Sequence, residues 1–113
     1  MKLLETQTDF ESYWFYTDGI RPECMRASDN GFLIYFTADW CKHCKKLDMD
    51  ALDRAASTRG LTLLKCDETI NDYTPGYCQI RSFPTFVFFT PKKIVKSLKS
   101  SVTHDVESWI ISL

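Results

Sequence analysis

Two thiols stand two residues apart in Trp40-Cys41-Lys42-His43-Cys44-Lys45, where an apolar run hands over to a helical pattern. A thiolate attacks a disulfide to give a mixed disulfide, and a second thiol nearby resolves it. The first turn of a helix leaves backbone N–H groups unpaired and carries partial positive charge, which stabilises a thiolate placed there. Cys41 is therefore expected to attack first, with a pKa below the ~8.5 of a free cysteine. Cys44, one turn further in and more buried, is expected to resolve. Lys42 and His43, with Lys45 and Lys46 beyond them, add positive character around Cys41. Stabilising the thiolate favours the reduced form and makes the pair a stronger oxidant. A histidine side chain can change charge near neutral pH, so tuning by His43 is expected to depend on pH. Its plainer reading is a solvated histidine on a helix surface.

Metal chemistry fits these residues poorly. Zinc takes about four ligands, and the chain has one C-x-x-C without a matching second pair. Cys66, Cys78 and His104 show no ligand spacing, and haem attachment fails because Lys45 follows Cys44 where a histidine is needed. No metal and no bound cofactor are expected beyond a redox-active Cys41–Cys44 disulfide. Five cysteines, Cys24, Cys41, Cys44, Cys66 and Cys78, cannot all pair within one chain. Cys66 reads as core and Cys78 as a small half-buried residue, with a regulatory thiol as its alternative. Cys24 has no assigned role.

Several elements must position the pair. Residues 32–36 form a continuous apolar run between turn residues, as a strand buried on both faces would. Residues 41–56 read as a helix, with Leu47, Ala51, Leu52 and Ala55 on one stripe and Gly60 beyond its end. Residues 61–66 read as a second buried strand. Strand, helix, strand makes a βαβ unit and a parallel pair. Upstream, residues 2–6 suggest a strand, and Phe10, Tyr13 and Trp14 follow Thr8-Asp9, a candidate cap, at helical spacing. Pro22 with Cys24, Met25 and Ala27 predicts a short helix before an Asp29-Asn30-Gly31 turn. Downstream, Thr74-Pro75 starts a short helix, and Phe83-Pro84 interrupts the chain before a strand over 85–90. Pro91-Lys92-Lys93 then turns into a last, antiparallel strand over 94–98. A closing helix opens at Thr103-His104-Asp105 and puts Val106, Trp109, Ile110 and Leu113 on one face. The expected architecture is one α/β domain over residues 1–113, a central mixed β-sheet flanked by α-helices.

The segment from Phe36 to Lys45, Phe-Thr-Ala-Asp-Trp-Cys-Lys-His-Cys-Lys, resembles the active-site segment of the thioredoxin superfamily. Ile80-Arg81-Ser82-Phe83-Pro84-Thr85 resembles the segment holding that family's cis-proline, and Lys65-Cys66-Asp67 the end of its central strand. The resemblance covers most of the chain from residue 32 on. It implies a thioredoxin-like fold and a cis Phe83–Pro84 bond, which local sequence alone favours only ~5% of the time. It also implies that the backbone before Pro84 pairs with an extended substrate. Trp40 is then expected to be partly exposed beside Cys41, binding substrate together with Phe83 and Pro84. Three departures mark a divergent member. Tyr35 stands where the family often has a buried acid assisting proton transfer at the resolving cysteine. With Lys65 retained, that step is left to Asp39 or water, or turnover is slower. Met49 replaces a helix-kinking proline, and residues 17–31 are an additional turn or helix.

The 113 residues are 44% hydrophobic and 26% charged, which excludes a disordered chain, and the net charge is −1. That balance attracts neither nucleic acid nor anionic membrane. No apolar run approaches the ~20 residues of a membrane span. The start has no apolar signal region, so a cytoplasmic location is expected, or a periplasmic or secreted one if a leader has been removed. Lys92, Lys93, Lys96 and Lys99 read as edge-strand lysines that block aggregation. The expected activity is thiol–disulfide oxidoreduction on protein disulfides or dithiols, by a monomer recycled by a reductase or an oxidant. The alternative is a non-catalytic thioredoxin-fold binding or adaptor module.

Overall fold

A computed structural model describes residues 1–14, 31–90 and 93–113. The expected helix after Pro22, Cys24, the Asp29-Asn30 turn and the Pro91-Lys92 turn lie outside the described residues. Five strands form one mixed sheet: β1 (Lys2–Leu3), β2 (Gly31–Thr37), β3 (Leu61–Asp67), β4 (Thr85–Thr90) and β5 (Lys93–Lys99). Their spatial order is β1-β3-β2-β4-β5. β1, β3 and β2 run parallel, whereas β4 is antiparallel to both β2 and β5. Among the described residues four α-helices cover it: α1 (Gln7–Trp14), α2 (Met49–Thr58), α3 (Tyr73–Tyr77) and α4 (Thr103–Ser112). The mixed sheet flanked by helices is thus as expected.

Every residue of β2 is buried, because alternate side chains enter two cores. Leu33 and Tyr35 join Leu61, Leu63 and Phe86 beneath α2 and α4, which contribute Leu52, Ala55, Ala56, Val106 and Ile110. Phe32, Ile34 and Phe36 join Leu64, Cys66, Val87 and Phe89 on the other face, where α1 supplies Phe10 and Tyr13. Trp109 and Leu113 pack against the first core and Trp14 against the second, each half-buried. Gly31 opens β2 rather than closing a turn. A Cβ there would lie 2.5 Å from the Phe89 carbonyl oxygen, so β4 can pair closely only with glycine.

The start of α1 differs from its expected cap. Thr6 accepts from the Asp9 N–H (3.2 Å), and the Asp9 carboxylate accepts in return from the Thr6 N–H (3.3 Å) and the Glu5 N–H (3.0 Å). This reciprocal capping box begins two residues before Thr8. The larger correction concerns residues 41–56, which are not one helix. Cys44–Lys46 is a single 3₁₀ turn, and Leu47 is extended (φ −79°, ψ 138°). Asp48 then restarts the chain as the cap of α2, its carboxylate accepting from the Ala51 N–H (3.2 Å). Buried Leu47 and the bond from the Asp48 N–H to Thr103 (3.0 Å) hold the break without a proline at position 49. Gly60, at φ 67°, ends α2 in the left-handed region that glycine adopts at little cost.

Candidate active site

The β2–β3 register ends by pairing Phe36 with Cys66 and Thr37 with Asp67, and Phe36 also faces Thr85 at the start of β4. The cysteine loop, the residues after β3 and the turn before β4 therefore converge at one end of the sheet. The carboxyl ends of parallel strands commonly carry α/β sites. Cys41 and Cys44 are joined by a disulfide with Cα atoms 5.4 Å apart, and both residues are buried. The Cys41 N–H bonds to the Ala38 carbonyl (3.0 Å), which fixes the loop, and the Cys44 N–H donates to Cys41 Sγ (3.2 Å).

The long helix expected to begin at the pair does not begin there. Cys41 lies before a three-residue 3₁₀ turn, and the first long helix beyond it begins at Met49. A macrodipole acts mainly over a helix's own first turn. The donor the structure directs at Cys41 Sγ is the Cys44 N–H.

Trp40 is 67% exposed. Its ring meets Phe83 edge-on at 5.8 Å, and its indole N–H donates to the Glu68 carboxylate (3.3 Å). The Phe83–Pro84 bond is cis. His43, Ser82, Phe83, Pro84 and Lys99 line an open groove of about 370 Å³ beside it. The buried Ser82 hydroxyl has no hydrogen-bond partner among the described residues. Lys42 and His43 are exposed.

Behind Cys44 lies a second cavity, of about 230 Å³, whose walls include Tyr35, Asp39, Lys45, Lys65 and Asp67. Tyr35 donates its hydroxyl to the Cys44 carbonyl (3.2 Å). Burial pushes the Tyr35 pKa up from its ordinary 10, with the Thr37 hydroxyl opposing and the Asp67 charge reinforcing the shift. Tyr35 thus stays protonated and acts as a donor at neutral pH. Asp39 and Lys65 both reach this cavity, Asp39 as an exposed residue whose N–H bonds to the Thr69 hydroxyl (3.0 Å).

The remaining described cysteines are of a different kind. Cys66 and Cys78 are buried free thiols, both pushed up to about 12 by burial, so they stay protonated at neutral pH. Cys78 is buried in the second core rather than half-buried. Among the described residues no three His, Cys, Asp or Glu side chains are grouped to hold a metal ion. No helix among them is long and apolar enough to cross a membrane.

The thioredoxin family model matches residues 21–112. The chain belongs to the thioredoxin family. As a family member it is 40% identical over 82 residues to a protein disulfide-isomerase of Zea mays, a match covering 69% of this chain and 16% of that protein. A protein disulfide-isomerase of Triticum aestivum is 37% identical over 92 residues, covering 78% and 17%. The chain therefore spans about a sixth of the length of these curated relatives. Among solved structures, the germline-specific thioredoxin Deadhead of Drosophila superposes with a TM-score of 0.76 at 23% identity, over 100% of this chain and 99% of that one. A thioredoxin of Malassezia sympodialis gives 0.77 at 17% identity, covering 99% and 89%. These likenesses confirm the thioredoxin-like fold.

Within this thioredoxin-family site, the structure brings Trp40, Phe83 and Pro84 together beside the buried Cys41–Cys44 pair, with Asp39 and Lys65 on the walls of the cavity behind Cys44. Sequence reasoning missed Glu68, which orients Trp40, and Asp67, which walls the lower cavity. Asp67 was visible as the last residue of Lys65-Cys66-Asp67, but only the strand register places it opposite Thr37.

Proposed function

We propose that this thioredoxin-family protein is a thiol–disulfide oxidoreductase acting on protein substrates through Cys41 and Cys44. The observation that carries the reading is the Cys41–Cys44 disulfide with the Cys44 N–H directed at Cys41 Sγ. A hydrogen bond to a charged group is stronger than one between neutral groups, so this N–H favours a thiolate at Cys41. Cys41 is therefore the attacking sulfur. It bonds to one sulfur of a substrate disulfide while the other leaves as a thiolate. Cys44 then attacks Cys41 Sγ, forming the Cys41–Cys44 bond and releasing the second substrate sulfur. Two electrons pass to the substrate, and an external dithiol or reductase must return them. Run in reverse, the same steps oxidise a dithiol.

Trp40 and Phe83 form an aromatic shoulder over the pair. The groove along Pro84 accommodates an extended peptide, consistent with strand addition and low sequence selectivity. His43 and Lys42 border the pair and favour its reduced form. Protein disulfide reduction by an added dithiol tests the reading. Wild-type protein is expected to accelerate it, and Cys41→Ser to abolish that acceleration. Full biological activity in a Cys41→Ser, Cys44→Ser double variant that no longer reduces disulfides would transfer support to an adaptor.

A further inference from the structure

Resolution of a mixed disulfide requires Cys44 to lose its proton, and Tyr35 cannot take it. Its hydroxyl is committed as a donor to the Cys44 carbonyl, and burial holds it protonated. The titratable groups lining the cavity behind Cys44 are Tyr35 on β2, Asp39 after it, Lys45 on the 3₁₀ turn, and Lys65 and Asp67 on β3. A protonated lysine offers only donors, which leaves the two carboxylates as acceptors. Asp39 is exposed in a loop. Asp67 is half-buried at a strand end, fixed by its pairing with Thr37 and by the bond its Oδ1 accepts from the Thr69 N–H (2.9 Å). That bond engages one carboxylate oxygen. The negative charge of Asp67 is felt at the Tyr35 hydroxyl, itself bonded to Cys44. A cavity of this size exceeds the ~10–15 Å³ that one water molecule needs.

We propose, taking the exchange reaction above as given, that Asp67 is the proton acceptor for Cys44, working through water in the cavity beneath it. The Cys44 thiol proton passes through water to the Asp67 carboxylate. The Cys44 thiolate then attacks Cys41 Sγ, the bond from Cys41 to the substrate sulfur breaks, and its electron pair leaves with that sulfur. The proton returns from Asp67 to solvent, and the released thiolate takes a proton from solvent. In the oxidising direction Asp67 returns the proton to Cys44. Asp67 thereby takes over a step that Tyr35, at the family's usual acid position, does not perform.

Reduced protein mixed rapidly with 5,5′-dithiobis(2-nitrobenzoate) separates the two steps. The first thionitrobenzoate released reports attack by Cys41, and the second reports resolution by Cys44. Asp67→Asn keeps an oxygen for the Thr69 N–H while removing the base. It is expected to slow the second release at least about tenfold near pH 6.5. This lies below the 10²–10⁴ of direct general-base catalysis, because solvent partly substitutes. The deficit is expected to shrink toward pH 9 as solvent deprotonates the thiol, while the first release changes less than about twofold and Asp67→Glu restores most of the rate. If the asparagine variant fails to fold by circular dichroism, Asp67→Ser carries the same test, since its hydroxyl also accepts.

A second release within about twofold of wild type at every pH overturns the assignment. So does a deficit equal in both phases or independent of pH, which marks a structural role, or a loss carried instead by Asp39→Asn. If wild-type protein releases no thionitrobenzoate, the exchange reading itself falls, and this assignment with it. A normal first release with an indifferent Asp67 refutes only the assignment.

Discussion

Replacing Tyr35 by phenylalanine isolates one hydroxyl at the floor of the site. The ring stacks on Phe86 with centroids 4.9 Å apart and planes at 17°, and phenylalanine keeps that contact. What disappears is the bond to the Cys44 carbonyl at 3.2 Å, together with the interaction with the Thr37 side chain. A typical internal hydrogen bond contributes about 0.5–1.5 kcal/mol net, and an orphaned buried acceptor can cost about 1–3 kcal/mol. The Cys44 carbonyl also accepts from the Leu47 N–H (3.3 Å), so it is not orphaned. The expected loss is therefore about 1 kcal/mol, or a Tm lower by about 4 °C for a domain of this size. Tyr35→Ala removes the ring as well and is expected to lose about 3–5 kcal/mol through the cavity it leaves. Thermal melts of the oxidised protein, followed by circular dichroism, read both variants. A Tyr35→Phe variant melting with wild type, while Tyr35→Ala falls as stated, would refute any contribution from this hydroxyl.

Alkaline pH probes the two buried thiols. Cys66 and Cys78 carry folded pKa values of about 12 against an ordinary 9.0. The unfolded chain releases their protons first, so the stability they contribute is complete below about pH 9 and is lost as pH rises toward 12. Denaturation midpoints should fall over that window, and less steeply in a Cys66→Ala, Cys78→Ala variant; equal slopes would contradict the burial argument. Two glycines supply opposite expectations. Gly31→Ala presses a methyl against the Phe89 carbonyl and should destabilise by about 1–3 kcal/mol. Gly76→Ala, with nothing within 4 Å of the new Cβ, should raise stability by about 0.5–1 kcal/mol in the same melts.

The sheet was legible because β2 and β4 are short apolar runs bounded by turn chemistry, and burial on both faces leaves such runs few alternatives. The cysteine pair and Pro84 were legible as motifs. The helix break at Leu47 was not, since Leu47, Ala51, Leu52 and Ala55 fit one uninterrupted stripe equally well. What ends the first segment is tertiary: Leu47 buried in the core and Asp48 held by Thr103, 55 residues away in sequence. That break moves the long helix's start to Met49 and leaves the Cys44 N–H as the donor directed at Cys41 Sγ. Asp67 and Glu68 escaped notice for a related reason. A carboxylate acquires a role only from what the register places beside it, and nothing in their local sequence names Cys44 or Trp40.

The central claim is that Cys41 and Cys44 form a reversible redox couple. Equilibrating the protein with glutathione buffers, then trapping by alkylation and reading the mass, tests it most directly. The account predicts one two-electron transition confined to Cys41 and Cys44, at a potential between roughly −270 and −180 mV. It also predicts that Cys66 and Cys78 stay unmodified until the protein is unfolded. A pair that never closes, or a transition involving Cys66 and Cys78 in its place, would contradict it.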